Sequence, residues 1–213
     1  MRRLIAFTLA AALVSAGAAL AADPKKRINP ADQSRARSML LKQADVGLGF
    51  RPIPSSGASN GLDLNCEALD EGDLTVTGEA YSPNFSSGLQ TIASASAIYV
   101  SLRDANTSWR RETSAAGFKC LTNVFRNVAR VTGVRFVSFR KIPFPAVAPR
   151  TAAYRWQTLV RGVRVYTDVV FLMRSRAQAA AFFITGIDPL ERDEQFRLTH
   201  AIAARMAKAM RGA

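Results

Sequence analysis

The sequence predicts an α+β fold: a twisted antiparallel sheet of about five to seven strands flanked by N-terminal, central and C-terminal helices. Three observations carry that expectation. Period-two apolar runs fill the second half of the chain, helical periods recur at three places, and Pro, Gly, Ser and Asn gather between these segments rather than inside them.

The chain opens with Arg2 and Arg3, continues as an uncharged apolar stretch, and turns to small residues ending in Ala19-Leu20-Ala21. This is the anatomy of a secretory signal peptide, so cleavage is expected after Ala21, leaving a single domain over residues 22–213. Retention as an anchor is the rival reading, because Leu4 to Ala22 carries no charge and could nearly span a bilayer. The Ala, Ser and Gly content of its second half favours cleavage. No cysteine follows that could take a lipid. A secreted, periplasmic or envelope-associated protein is therefore expected.

Lys and Arg number 29 against 16 Asp and Glu, a formal net charge of +13. Such an excess favours acidic polymers or phospholipid headgroups, so a peripheral envelope contact is open. Export makes nucleic acid an unexpected partner. The same compartment favours a disulfide between Cys66 and Cys120. With two cysteines, one histidine and no paired-ligand spacing, neither a metal site nor a cofactor is expected.

Asn29 and Pro30 read as the cap and first residue of a helix from about Pro30 to Gln43, closed by Gly47 and Gly49. Arg51 to Asp73 is Pro, Ser, Gly, Asn and Asp rich and reads as a long loop tied down by Cys66. Leu74, Val76, Gly78 and Ala80 alternate with polar residues and give a strand; Ile92 to Leu102 gives another. Asp104 is placed as the cap of a helix with inward positions Ala105, Trp109, Thr113, Ala116, Cys120, Val124 and Val128, weakened at Gly117 and so open to division into two pieces.

Strands are expected over Val134 to Ile142, Thr151 to Val160, Val163 to Arg174 and Ala177 to Thr185. The last is alanine-rich enough to be helical, but the short Ser175-Arg176 turn favours its return to the sheet. Arg161-Gly162 reads as a two-residue hairpin turn, which fixes a register with Tyr154 and Trp156 on the core side. Arg155 then faces Asp168, and Gln157 faces Tyr166, on the other side. A final helix is expected with Asp188 as cap, Pro189 and Glu191 in its first turn, and Leu198, Ala201, Ile202, Arg205 and Ala209 on one stripe.

Three patterns suggest chemistry. Gly57-Ala58-Ser59-Asn60-Gly61 matches Gly-x-Ser-x-Gly, and a serine hydrolase would use Ser59 with His200 and Asp168 or Asp188. The stretch before it holds Pro52 and Pro54 where a nucleophile elbow needs an apolar strand, so turn chemistry is the better account. His200 itself reads as a partly buried helix residue. Gly133 to Phe139 echoes an RNA-binding strand, but Val134 stands where the first stacking aromatic belongs. Glu67, Asp70, Glu71 and Asp73 read as a solvated acidic turn, with a weak calcium site as the alternative, although their spacing does not match an EF-hand loop. What remains is the polar sheet face: Arg155, Gln157, Arg164, Tyr166 and Asp168, joined by Arg140 or Lys141, suit an anionic or sugar-bearing ligand.

Leu40 to Gly47, the run Asp104-Ala105 with Trp109 and Cys120, and the stretch Arg164 to Phe183 together resemble secreted bacterial proteins with a PsbP-like sheet, related to the extracellular sensor domains of membrane serine/threonine kinases. The resemblance spans most of the chain beyond the signal segment. It implies a twisted antiparallel sheet around a cleft and a binding role at the envelope, not catalysis. The sequence thus leads to a non-catalytic extracytoplasmic binding or sensor-like protein for an anionic or amphipathic small molecule, an envelope polymer or a protein. The alternative is a small secreted serine hydrolase.

Overall fold

A computed structural model describes residues 23–54 and 66–211. The strands are β1 (Lys25–Lys26), β2 (Arg51–Ile53), β3 (Thr75–Tyr81), β4 (Asn84–Ser87), β5 (Gln90–Tyr99), β6 (Arg135–Ile142), β7 (Arg150–Val160), β8 (Val163–Arg174) and β9 (Ala177–Gly186). The helices are α1 (Pro30–Met39), α2 (Gln43–Val46), α3 (Leu102–Thr113), α4 (Ala115–Val131) and α5 (Arg192–Ala209). All the strands belong to one sheet in the order β1-β3-β5-β9-β8-β7-β6, with β2 and β4 paired beside β5. Among the described strands only the short β1–β3 contact is parallel. The α+β class and the placement of helices at the start, middle and end follow the sequence.

The meander β6 to β9 is the part the sequence specifies most sharply. Arg161 and Gly162 both take positive φ, 52° and 84°, which gives the β7–β8 hairpin the backbone twist its strands require. The register pairs Arg155 with Asp168 and Gln157 with Tyr166, as the two-residue turn dictates. Ala177–Gly186 is a strand despite its alanines, because Ser175 at φ 53° turns it straight back along β8 and β5 covers its other edge.

Both faces of the sheet are covered. One packs on α1 and α5 through Met39, Phe85, Ile98, Leu172, Phe183, Leu198, Ile202 and Met206. The other packs on α3 and α4 through Val76, Tyr99, Trp109, Tyr154, Leu121, Phe125 and Trp156. The Cys66–Cys120 disulfide ties the segment before β3 to α4.

Several boundaries differ from the sequence expectation. The first helix ends at Met39, because Leu40 turns extended and Leu41 enters the core, its N–H donating to Ser94 Oγ. Asn29 does cap it, accepting from the Asp32 N–H. Arg51–Ile53 is an edge strand paired only with β4, the position where Pro52 costs no ladder bond. Ser101, not Asp104, caps α3. The helix pair divides at Ser114, which caps α4 through the Gly117 N–H; a side chain at Gly117 would run into the carbonyl of Arg111. Thr113 and Ala116 therefore fall outside the buried stripe. The last helix begins at Arg192 because Ile187 takes a positive φ of 79°, so Asp188 caps nothing.

The alternation in β3 is also broken. A bulge between Val76 and Gly78 reverses its parity, so Val76 lies on the α3/α4 face while Ala80 lies on the α1/α5 face. Gly78 then passes so close to α1 that a Cβ would meet the backbone of Asp32. The consequence is that Glu79 and Tyr81, instead of Gly78 and Ala80, continue the face begun by Val76.

Candidate functional site

The hairpin register brings Arg155, Gln157, Tyr166 and Asp168 together on the α1/α5 face, with exposed Arg164 near the turn. Arg140 faces Arg155 across β6 and shares that side, whereas Lys141 faces Tyr154 and does not. The grouping is less open than an exposed polar face. Asp168 is only 1% exposed and receives Arg155 Nε at 2.6 Å and Nη2 at 2.7 Å. Gln195 Nε2 of α5 adds a third bond at 2.8 Å, and the Tyr166 ring lies 5.5 Å from the guanidinium. Arg155 thus serves as the counter-ion of a buried carboxylate. Arg140 and Arg164 are the exposed cations of this face, without an ion pair among the described residues.

The hydrolase set is not assembled among the described residues. Ser59 lies outside them. His200 is exposed on α5 instead of partly buried, its ring 5.9 Å from that of Phe196. Asp168 is held by Arg155 and Gln195, and exposed Asp188 sits in the turn before α5. Neither is hydrogen-bonded to His200.

A cavity of about 170 Å³ opens on the opposite face, between the sheet and the α3/α4 pair. Its floor is made of small residues, Ala95 and Ala97 of β5 and Ala180 of β9, which leave room that larger strand residues would fill. Val76, Leu121, Phe171 and Phe182 complete an apolar wall. Exposed Asp23 and Tyr81 mark the mouth, and Tyr99, Gln178, Glu71 and Glu112 supply polar groups. The β3 bulge is what delivers Glu79 and Tyr81 to this side.

The acidic turn before β3 is therefore not all solvated. Glu71 turns inward, with Tyr99 Oη 3.3 Å from its Oε2, while Asp73 stays at the surface bonded to Arg111. Burial raises the Glu71 pKa against the pull of the Ser108 and Tyr99 hydroxyls. Burial, with the negative Glu71 nearby, raises Glu112 to about 8. Glu112 Oε2 is closed off from solvent and has no hydrogen-bond partner. One signal in the sequence marks this residue: Ala105, Ser108, Trp109 and Glu112 stand at i, i+3, i+4 and i+7, which puts a half-buried carboxylate in line with the buried stripe of α3.

No group of three or more His, Cys, Asp or Glu among the described residues is arranged to hold a metal ion. No protein-family model and no curated protein matches the chain.

Proposed function

We propose that the protein is a non-catalytic extracytoplasmic binding protein whose ligand seat is the cavity between the sheet and the α3/α4 pair. The observation that carries this reading is the pairing of an apolar floor with a few convergent polar groups, the composition of small-molecule sites. An amphipathic molecule would lay its apolar part on Ala95, Ala97, Ala180 and Phe182 and its polar part toward Glu71 and Glu112. Size supports the same class: a cavity of about 150 Å³ is enough for a benzene-sized ligand.

The extracytoplasmic setting is supported by the Cys66–Cys120 bond, a linkage of oxidising compartments, and by the leader-like first residues. No described helix is long and apolar enough to cross a membrane. The likeness to envelope sensor domains points the same way. Arg140 and Arg164, on the far face, would then serve any contact with an anionic envelope polymer.

The test is a native mass spectrum of the protein recovered from its own extracytoplasmic fraction, repeated after denaturation. A small adduct that survives native desolvation and leaves on unfolding is expected, and Ala95→Leu, which fills the floor, should abolish it without unfolding the protein. An adduct unaffected by Ala95→Leu, or a bare wild-type protein, counts against the cavity as the seat.

A further inference from the structure

The described walls of the cavity contain Asp23, Glu71, Glu79 and Glu112 and no lysine or arginine. In a chain where basic residues outnumber acidic ones by 29 to 16, that is a reversal of the local charge balance. Two of these carboxylates are accounted for differently from the others. Glu79 accepts from Lys26 Nζ at 2.8 Å and from Tyr81 Oη at 2.6 Å, and Asp23 is exposed at the mouth. Glu71 and Glu112 are half-buried, with Glu112 Oε2 closed off from solvent, and neither forms a salt bridge among the described residues; Arg111, bonded to Asp73, acts on Glu71 only at longer range.

The neighbouring hydroxyl donors are already engaged. Tyr99 Oη lies 2.8 Å from Ser108 Oγ and has one proton to share between that oxygen and Glu71. Ser108 Oγ reaches Gln178 Oε1 at 3.5 Å, and Gln178 Nε2 donates to the Ala105 carbonyl at 2.8 Å. One N–H of the Gln178 amide is left over, yet no group of the described wall donates to Glu112 Oε2. A buried carboxylate oxygen without a donor is a rarity that calls for a missing group.

We infer that the missing group is carried by the ligand, and that the seat takes a small organic cation: a primary amine on an apolar body of roughly six to eight non-hydrogen atoms. This rests on the cavity being a ligand seat. An ammonium placed between Glu71 and Glu112 supplies three donors and a positive charge to two carboxylates that otherwise repel one another in a poorly solvated space. The raised pKa of Glu112 is the behaviour of a carboxyl short of such a partner. A calcium ion fits less well, because it needs six to eight oxygen ligands and the remaining wall is mostly Ala, Val, Leu and Phe.

Titration calorimetry with three probes of one shape, benzylamine, benzyl alcohol and benzoate, tests the charge separately from the seat. Benzylamine is expected to bind about tenfold or more tightly than benzyl alcohol, and benzoate not at all. Glu112→Gln should bring the amine to within about twofold of the alcohol, and a cooperative thermal melt shows independently that the variant is folded. Equal binding of amine and alcohol to the wild type would overturn the cation assignment and leave the seat standing. Binding of none of the three, or binding indifferent to Ala95→Leu, would remove the seat and the cation together.

Discussion

The two faces of the sheet treat buried acid in opposite ways. Under α1 and α5, Asp32 receives both terminal nitrogens of Arg176 at 2.8 Å, Asp45 both of Arg205 at 2.7 Å, and Asp168 two nitrogens of Arg155 at 2.6 and 2.7 Å. Under α3 and α4, Glu71 and Glu112 share a cavity wall with no arginine. The first arrangement is complete within the chain: each planar fork matches a carboxylate and fixes a helix or turn to the sheet. The second is incomplete. What the contrast teaches is that this sequence has the means to neutralise a buried carboxylate with an arginine fork and, among the described residues, uses it repeatedly on one side only, Glu79 on the other side taking a lysine.

Opening the disulfide gives the largest effect, because it releases the segment that carries Glu71 from α4. Its ends are separated by 54 residues, so chain entropy alone assigns roughly 4 kcal/mol to the bond. Cys120→Ser should lower the denaturant midpoint accordingly and return Glu112 toward ordinary titration as water enters. A loss well under half of that, with Glu112 unchanged, would show that the cavity does not depend on the tether.

Arg176→Leu tests the completed face. Asp32 is 3% exposed and would keep only Arg35, Thr77 and Asn29 as partners. Breaking such a pair costs about 3 kcal/mol, measured by urea unfolding. Asp32→Asn in the same background should restore part of it, since the stranded charge is gone.

Stability against pH should divide the faces by sign. Arg176 holds the Asp32 carboxyl well below its usual range; at Asp45 burial pushes upward but the bonds from Arg205 and the Lys42 N–H outweigh it. That stability is present above the unfolded carboxylate range, about pH 4, and is lost as pH falls. Glu71 and Glu112 are raised, so the protonated folded form is favoured and their contribution is greatest below that range and lost as pH rises, that of Glu112 toward 8. Thermal melts should therefore show an acid-side fall and a separate decline between about pH 5 and 8. Glu112→Gln should flatten the second and spare the first.

The smallest effect belongs to the basic rim. Arg164→Ala removes an exposed side chain and should change stability by less than about 0.5 kcal/mol. Arg155→Ala, on the same face, would strand Asp168 and is expected to destabilise the fold. A binding experiment that compares the two must correct for this.

What the sequence revealed follows how local each cause is. The Arg161-Gly162 turn sets the β7–β8 register by itself, and Asn29-Pro30 starts α1 by itself, so both were legible. The disulfide followed from compartment. The cavity was not legible, because it depends on coincidences between distant segments: the β3 bulge, the break at Ser114 and the tether at Cys66. Glu112 stands in Arg110-Arg111-Glu112-Thr113, which reads as a solvated helix surface, and its place on the Ala105-Trp109 stripe carries meaning only once α3 is known to end at Thr113. Asp168 shows the converse. Its partner was legible from the register, but its burial under Gln195 needed the path of α5.

The measurement that bears most directly on the unmatched acid pair is a carbon-13 NMR titration of the Glu112 side-chain carboxyl in the ligand-free protein. A midpoint near 8, falling to the ordinary carboxylate range when benzylamine is added, is the result expected of a buried carboxyl that lacks its cation. A midpoint near 4.5 in the free protein would mean that water or a protein group already satisfies Glu112, and the contrast between the two faces would fail.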